Sequence, residues 1–512
     1  MFRLLAMLLV AAGLSASLGV AQAPGDVDRN GDIDLSDLCL FIEAWAVAHT
    51  GGQWPASADL AEPFGVLSWA DADAMLSAFL SSTSVPKPTR YVSADGSDEW
   101  PGTLSRPWRT IQHACDECGP GDVVRVLPGV YHEDIELWRG GEEGRPLVLY
   151  GAGATVQGSI TFEQGCSHVV LEGFEIHQSG TAWCISLLGT NRHITLRRIT
   201  TVGGDSGLHL TAGEHGHPLY GAVEDIVVDE CTFTGANWTG VDATPGPVKG
   251  ITIRRCQVRD NGNAEAGFGA DGIAVEMGDH IIVEDCVVAN NSSDGIDLCS
   301  RDSTPREEVI VRRCRVIGNH GDGVKLWCGG TIENCLITGH GLTPVVFVRD
   351  ALYRIVNCTV ARNFRDVKSY ALTAAYPDQD NPTGEARVYM YNCIFAFNGP
   401  PTEPTGLYFG PRVVLVEDYN CFFSRADEEL CVDRTGGAVS VSREDIVSGR
   451  WAALGGGQHS LSADPKFLAA DDFRLAADSP CRGRGLADAA PPTDIDLRPR
   501  VGSVDLGCYQ AP

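Results

Sequence analysis

Asp271-Gly-Ile-Ala-Val275, Asp294-Gly-Ile-Asp-Leu298 and Asp322-Gly-Val-Lys-Leu326 are one pentapeptide written three times, at intervals of 23 and 28 residues. In each copy the third and fifth residues are apolar and the fourth is polar or small, the alternation of a strand with one buried face. Outward from these copies, short β-branched runs recur every 21 to 35 residues from about Leu147 to Phe423, divided by Asn, Gly and Asp turns with no helical periodicity between them. A repeat of that length without helices is the period of a β-solenoid. The expected fold is therefore all-β, a right-handed parallel β-helix over residues 91–430.

Stacking one pentapeptide per coil builds two outward columns. One holds Asp271, Asp294 and Asp322, and the other Ala274, Asp297 and Lys325. The second continues upstream through His209 in Ser206-Gly-Leu-His-Leu210 and Asp242 in Thr239-Gly-Val-Asp-Ala243. Carboxylates stacked at about 4.8 Å repel one another, so a compensating cation is expected. Calcium, a hard cation tolerant of irregular oxygen shells, suits such a cluster. Asp271, Asp294 and Asp297 are the first-choice ligands, with Asp242, Ser293 and Asp322 as supplements. Lysine is scarce, five residues within a Lys plus Arg total of 39, and one of the five is Lys325. Next to a bound divalent cation its pKa falls, which makes the neutral amine available as a general base. A solvated salt bridge to Asp297 or Asp322 is the plain alternative.

These segments resemble the core of pectate lyases of polysaccharide lyase family nine. The resemblance spans roughly residues 91–345 and is specific only between 270 and 326. It implies a calcium site made by aspartates from adjacent coils, falling on Asp271, Ser293, Asp294 and Asp297, and a lysine base falling on Lys325. Ser293 departs from the family, which has a carboxylate there. The implied reaction is β-elimination on a uronate of an acidic polysaccharide, with Arg301, Arg349 and Arg365 as candidate contacts to further carboxylates because the guanidinium offers a bidentate fork. Two other classes compete: a glycoside hydrolase working through paired carboxylates, and a non-catalytic carbohydrate-binding or cell-surface protein.

The remaining sequence sets the context. Arg3, an apolar run from Leu4 to Val20 and then Ala21-Gln22-Ala23 read as an export signal over residues 1–23, so the protein is expected to be secreted, without a membrane span. In residues 24–80, Asp26, Asp28, Asn30, Asp32, Asp34 and Asp37 fall at the ligand positions of an EF-hand-like loop with Gly31 at its sixth place. The loop resembles that of dockerins, which implies a small α-helical calcium module and a possible cohesin-like partner. Its second copy, from Asp59 to Asp71, has lost most ligand side chains. A linker over 81–90 and a capping segment over 431–512 complete the expected organisation of a monomer. A net charge of -28 excludes nucleic acid as a partner. Of the 18 cysteines, Cys231, Cys256, Cys286, Cys314, Cys335, Cys358, Cys393 and Cys421 each close a strand-like run, as expected for stacked buried thiols.

Overall fold

In the computed structural model, residues 87–511 are described except 212–220, 245, 263–269, 301–304, 306–307, 364–369, 375–384, 400–405, 411, 424–428, 434–438 and 454–455. The export signal, the EF-hand-like loop from Asp26 to Asp37 and most of the linker lie outside the described residues, as do Arg301 and Arg365.

The described strands form three long sheets of 13, 13 and 12 strands, and each coil contributes one strand to each sheet. The pairings are parallel throughout, except where Glu429–Asp433 meets Val439–Ser442 antiparallel at the end. This is the expected parallel β-helix. One continuous apolar core runs inside the prism from Val92 to Trp451. No helix among the described residues is long and apolar enough to cross a membrane.

The N-terminal end is closed by the Ile111–Glu117 helix, which turns Ile111, Ala114 and Cys115 inward and is capped by the Thr110 side chain accepting from His113 N–H. Arg90–Val92 pairs with Val123–Val126, so the first sheet begins before this helix.

At one corner a cysteine recurs from coil to coil. Before the cysteine column the chain turns through left-handed residues Glu230, Arg255, Asp285, Arg313, Asn334, Asn357 and Asn392. The next side chain, cysteine, points inward. The Cys256 thiol donates to Arg254 O at 3.2 Å and Val228 O at 3.5 Å, and Cys286, Cys314 and Cys358 repeat the pattern. The cysteines whose side chains are described are free thiols and buried, so the stacked-thiol expectation holds. Burial also pushes the Cys118 thiol up to about 12, which fits a structural rather than reactive role.

Outside that corner, charge alternates from coil to coil. Glu172 faces Arg197 and Arg198, Asp229 binds Arg254 and Arg255 at 2.9 and 2.6 Å, and Glu284 and Asp285 bind Arg312 and Arg313 at 2.6–2.9 Å. The doublets of like charge never meet their own sign across the strand gap.

At a second corner asparagines form an internal ladder. Asn291 Nδ2 donates to Asn319 Oδ1 at 2.8 Å, and its own Oδ1 accepts from Asn261 N–H at 3.2 Å and Asn261 Nδ2 at 3.0 Å. His340 takes one rung, with Asn363 and Asn398 beyond it. The ladder explains the glycine of the pentapeptide. A Cβ on Gly272 would lie 2.6 Å from Gly295 O and 2.7 Å from Asn291 Nδ2, and Gly240, Gly295 and Gly323 are equally pressed.

The C-terminal region departs from the expected end cap. The Glu429–Asp433 and Val439–Ser442 hairpin, followed by short helices at Arg443–Val447 and Arg450–Ala453, closes the end and buries Trp451. Residues beyond Leu461 instead fold back along the outside of the third sheet, burying Phe473, Leu475, Cys481, Ile495, Leu506 and Cys508 against Leu336, Ala361, Ile394 and Cys421 in a second small core. There the left-handed corner becomes asparagine: Asn334 donates to Thr493 O, Asn357 to Asp505 O and Asn392 to Leu486 O.

Candidate active site

The second sheet carries the pentapeptides. Its strands Val241–Ala243, Ile273–Val275, Ile296–Leu298 and Val324–Leu326 pair in register, so Asp242, Ala274, Asp297 and Lys325 stand in one outward column. Three residues earlier in each coil, Asp271, Asp294 and Asp322 form the other. Each of these aspartates accepts from the backbone N–H one coil on: Asp271 from Asp294 at 2.9 Å, Asp294 from Asp322 at 2.6 Å and Asp322 from Thr343 at 2.8 Å. Each carboxylate thus lends one oxygen to the turn one coil on, and Asp294 and Asp322 turn the other to Lys325.

Asp271, Asp294 and Asp297 each place an oxygen within 4.8 Å of the others. Lys325 Nζ donates to Asp294 Oδ2 at 2.6 Å and lies 3.3 Å from Asp322 Oδ2. Trp327, on the turn after that strand, donates its indole N–H to Asp297 Oδ1 at 2.6 Å, and its ring lies under both Lys325 and Arg349. Trp327 was missed by sequence reasoning because it sits one residue beyond the pentapeptide. The Ser293 hydroxyl hydrogen-bonds Asp271 and draws its pKa down. Ser293 therefore enters the cluster as a support of one carboxylate.

Burial and the neighbouring Asp294 charge push Asp271 up to about 7. Burial pushes Asp297 to about 8 despite the opposing pull of Lys325, and burial with Asp294 takes Asp322 to about 6. For Lys325 burial disfavours the ammonium, but Asp294, Asp297 and Asp322 outweigh it and hold the amine above the usual lysine range. The expected depression of its pKa is thus reversed in the protein groups alone, since three anionic neighbours surround it. Oxygen-only donors, crowded and hard to ionise together, are what a hard divalent cation fits; Asp271, Asp294 and Asp297 are the residues that would hold it.

A stability signature follows. Carboxyl groups whose folded pKa exceeds the unfolded value of about 4 bind protons more tightly when folded. Their contribution is complete below that value and is lost as pH climbs through the folded values. In chelator, the melting temperature is expected to fall by a few degrees between about pH 5 and pH 8, and excess calcium should restore it at pH 8. Calorimetry at both pH values, on the parent and on Asp297→Asn, checks this; a profile unchanged by the substitution would contradict the raised pKa of Asp297.

Other expected residues fall elsewhere. Asp242 is not in the cluster: it lies two strands from Asp297 and is tied to His209 Nδ1 at 2.9 Å and Thr244 Oγ1 at 2.9 Å. The intervening Ala274 breaks the acidic column. Arg349 borders the cluster, stacked on Trp327 and donating to Ser300 O at 3.3 Å.

Residues 90–331 match the family model of the Pel9A-like right-handed β-helix region. This stretch is similar to that family's β-helix. The matched region contains the three aspartates, Lys325 and Trp327, and ends just beyond them. The uncharacterized protein YwoF of Bacillus subtilis (strain 168) is 27% identical over 198 residues, 34% of this chain and 42% of YwoF, so the match spans about two fifths of that relative. Among solved structures, the pectate lyase Pel9A superposes with a TM-score of 0.46 at 16% identity, covering 84% of this chain and 98% of its own. The complex of XylC with xylose gives 0.46 at 10% identity, covering 82% and 98%.

Proposed function

We propose that the protein is a secreted, calcium-dependent polysaccharide lyase that cleaves an acidic polysaccharide, pectate or a related uronate, by β-elimination. The observation that carries this reading is the placement of Lys325 Nζ, 2.6 Å from Asp294 inside a cluster of three aspartates on an outward sheet face. Asp271, Asp294 and Asp297 are the proposed holders of the cation. Calcium, when bound, supplies positive charge that neutralises the uronate carboxylate and acidifies the proton on C5. With Asp294 and Asp297 engaged, Lys325 keeps only Asp322 of its three anionic partners, and its amine acts as the base. Its Nζ takes the C5 proton, the C–H pair becomes the C4–C5 double bond, and the C4–O pair leaves with the glycosidic oxygen, which is protonated by water. Trp327 fixes Asp297 while this happens. Arg349 is placed to meet a neighbouring carboxylate.

A hydrolase is the second reading, favoured by the raised pKa of Asp271 and Asp297, since a carboxyl still protonated near neutrality can serve as a general acid. One assay separates the two. Polygalacturonate, alginate and chondroitin are incubated with the protein in calcium or chelator, and both ultraviolet absorbance and new reducing ends are followed. The expected result is a calcium-dependent rise in unsaturated-uronate absorbance on one polymer. Reducing ends without that absorbance would establish hydrolysis instead.

A further inference from the structure

The column that holds Asp297 and Lys325 is longer than the cluster. In register it runs Ser186, His209, Asp242, Ala274, Asp297, Lys325, Val346, Thr373 and Tyr408. Three strands before Asp297, the Trp183 ring is stacked on His209, centroids 3.9 Å apart and planes 12° from parallel. Three strands beyond Lys325, Tyr370 packs against Tyr408 at 5.2 Å. Both pairs are built alike. The first ring, Trp183 or Tyr370, comes from the aspartate-bearing column, and the second, His209 or Tyr408, comes from the lysine-bearing column one coil on. That is the same diagonal by which Asp294 meets Lys325.

Trp183, Tyr370 and Tyr408 are half-buried, each with part of its ring at the surface. His209 is buried and its Nδ1 proton is committed to Asp242, so the residue backs the indole. Between the pairs and the cluster the lysine-bearing column is small or uncharged, with Ala274 on one side and Val346 and Thr373 on the other. Asp242 is already paired.

We infer that Trp183–His209 and Tyr370–Tyr408 are two sugar-stacking platforms that flank the aspartate–lysine cluster and bind one oligosaccharide laid along the helix axis. The inference rests on the proposed lyase reading for the nature of the sugar. An aromatic face with a polar edge is suited to the C–H face of a pyranose. From His209 to Tyr408 are seven strand intervals, ~34 Å at the spacing of parallel strands, and a hexopyranose unit spans roughly one interval. The surface therefore takes a chain of about eight units, with the cluster near its middle, which is the arrangement of an enzyme that cuts within a polymer.

The test is calorimetric binding in calcium by the Lys325→Ala protein, which does not turn the ligand over. Galacturonate oligomers of two to ten units are titrated, with neutral xylo-oligosaccharides in parallel. Affinity is expected to climb with length to about eight units and then level off. Trp183→Ala and Tyr408→Ala should each weaken octamer binding about tenfold, the scale of one stacked ring, with little change for the trimer, while Trp183→Phe and Tyr408→Phe retain most of the octamer affinity. Melting curves establish that each variant is folded. Length-independent binding, octamer affinity untouched by both alanine variants, or no binding of any oligomer would overturn the platforms. The same length dependence and alanine losses seen only with neutral oligomers would keep the platforms and sink the uronate reading.

Discussion

Lys325→Ala is expected to lower the elimination rate about a thousandfold, the middle of the range for a positioned general base, with the protein still folded. The side chain lies on the outer face and is only 20% exposed, so its loss removes an ion pair but opens no cavity in the core. Loss of activity in the alanine variant alone leaves two explanations, because Lys325 also holds Asp294 and Asp322 apart. Lys325→Arg separates them. Arginine keeps the positive charge and the pairing with the carboxylates but does not give up its proton at accessible pH. If Lys325 is the base, the arginine variant should melt near the parent temperature and be about as inactive as alanine. An arginine variant retaining a tenth or more of the parental rate would show that charge, and not proton abstraction, is what the position supplies. The measurement is initial absorbance rate on the responsive polymer, alongside thermal unfolding.

Asn291→Ala should be the most damaging single change to the fold near the site. Asn291 gives one amide hydrogen to Val258 O at 3.2 Å and another to Asn319 Oδ1 at 2.8 Å, and accepts two bonds from Asn261. Alanine removes these four bonds, takes from the Asn261 N–H its side-chain acceptor in a buried corner, and opens a cavity beside the packed glycines. At about 1–3 kcal/mol for each unsatisfied buried group, a loss of ~4 kcal/mol is expected. Because the turn continues through Ser293 into Asp294, calcium protection against unfolding should weaken in the same variant. Urea unfolding with and without calcium measures both. An Asn291→Ala protein within 1 kcal/mol of the parent would mean that water replaces the ladder rung at little cost.

What could be read before the structure follows from what repeats. The pentapeptide has period two, and its copies are about one coil apart, so strand, coil and both outward columns came from spacing alone, and Asp271, Asp294, Asp297 and Lys325 fell together as expected. Where coil length varies, spacing loses its meaning. Asp242 fell in the expected column, but its ties to His209 and Thr244, which spacing does not report, hold it apart from the cluster. Trp327 lies on a turn outside the repeat and Trp183 stands at a repeat position that carries no aspartate, and their roles arise from which neighbouring coil they lean over. The alternating Arg-Arg and Asp-Glu doublets were present in the sequence, yet their meaning depends on the left-handed corner that turns each pair against the next. The fold-back of the C-terminal segment was hidden for another reason: its partners, such as Asn357 and Asp505, lie 148 residues apart.

The stacking of coils also makes the surface a ruler with fixed graduations. A side chain on the second sheet moves along the molecule only in whole strand steps of about 4.8 Å, so gain or loss of a coil between the Asp–Lys cluster and either aromatic pair displaces the pair by one such step and leaves the cluster itself unchanged. A change in the interior of a globular domain strains everything around it. Here a duplicated coil would preserve the chemistry and alter the length of chain it accommodates, so catalytic identity and polymer length preference are free to diverge in separate events.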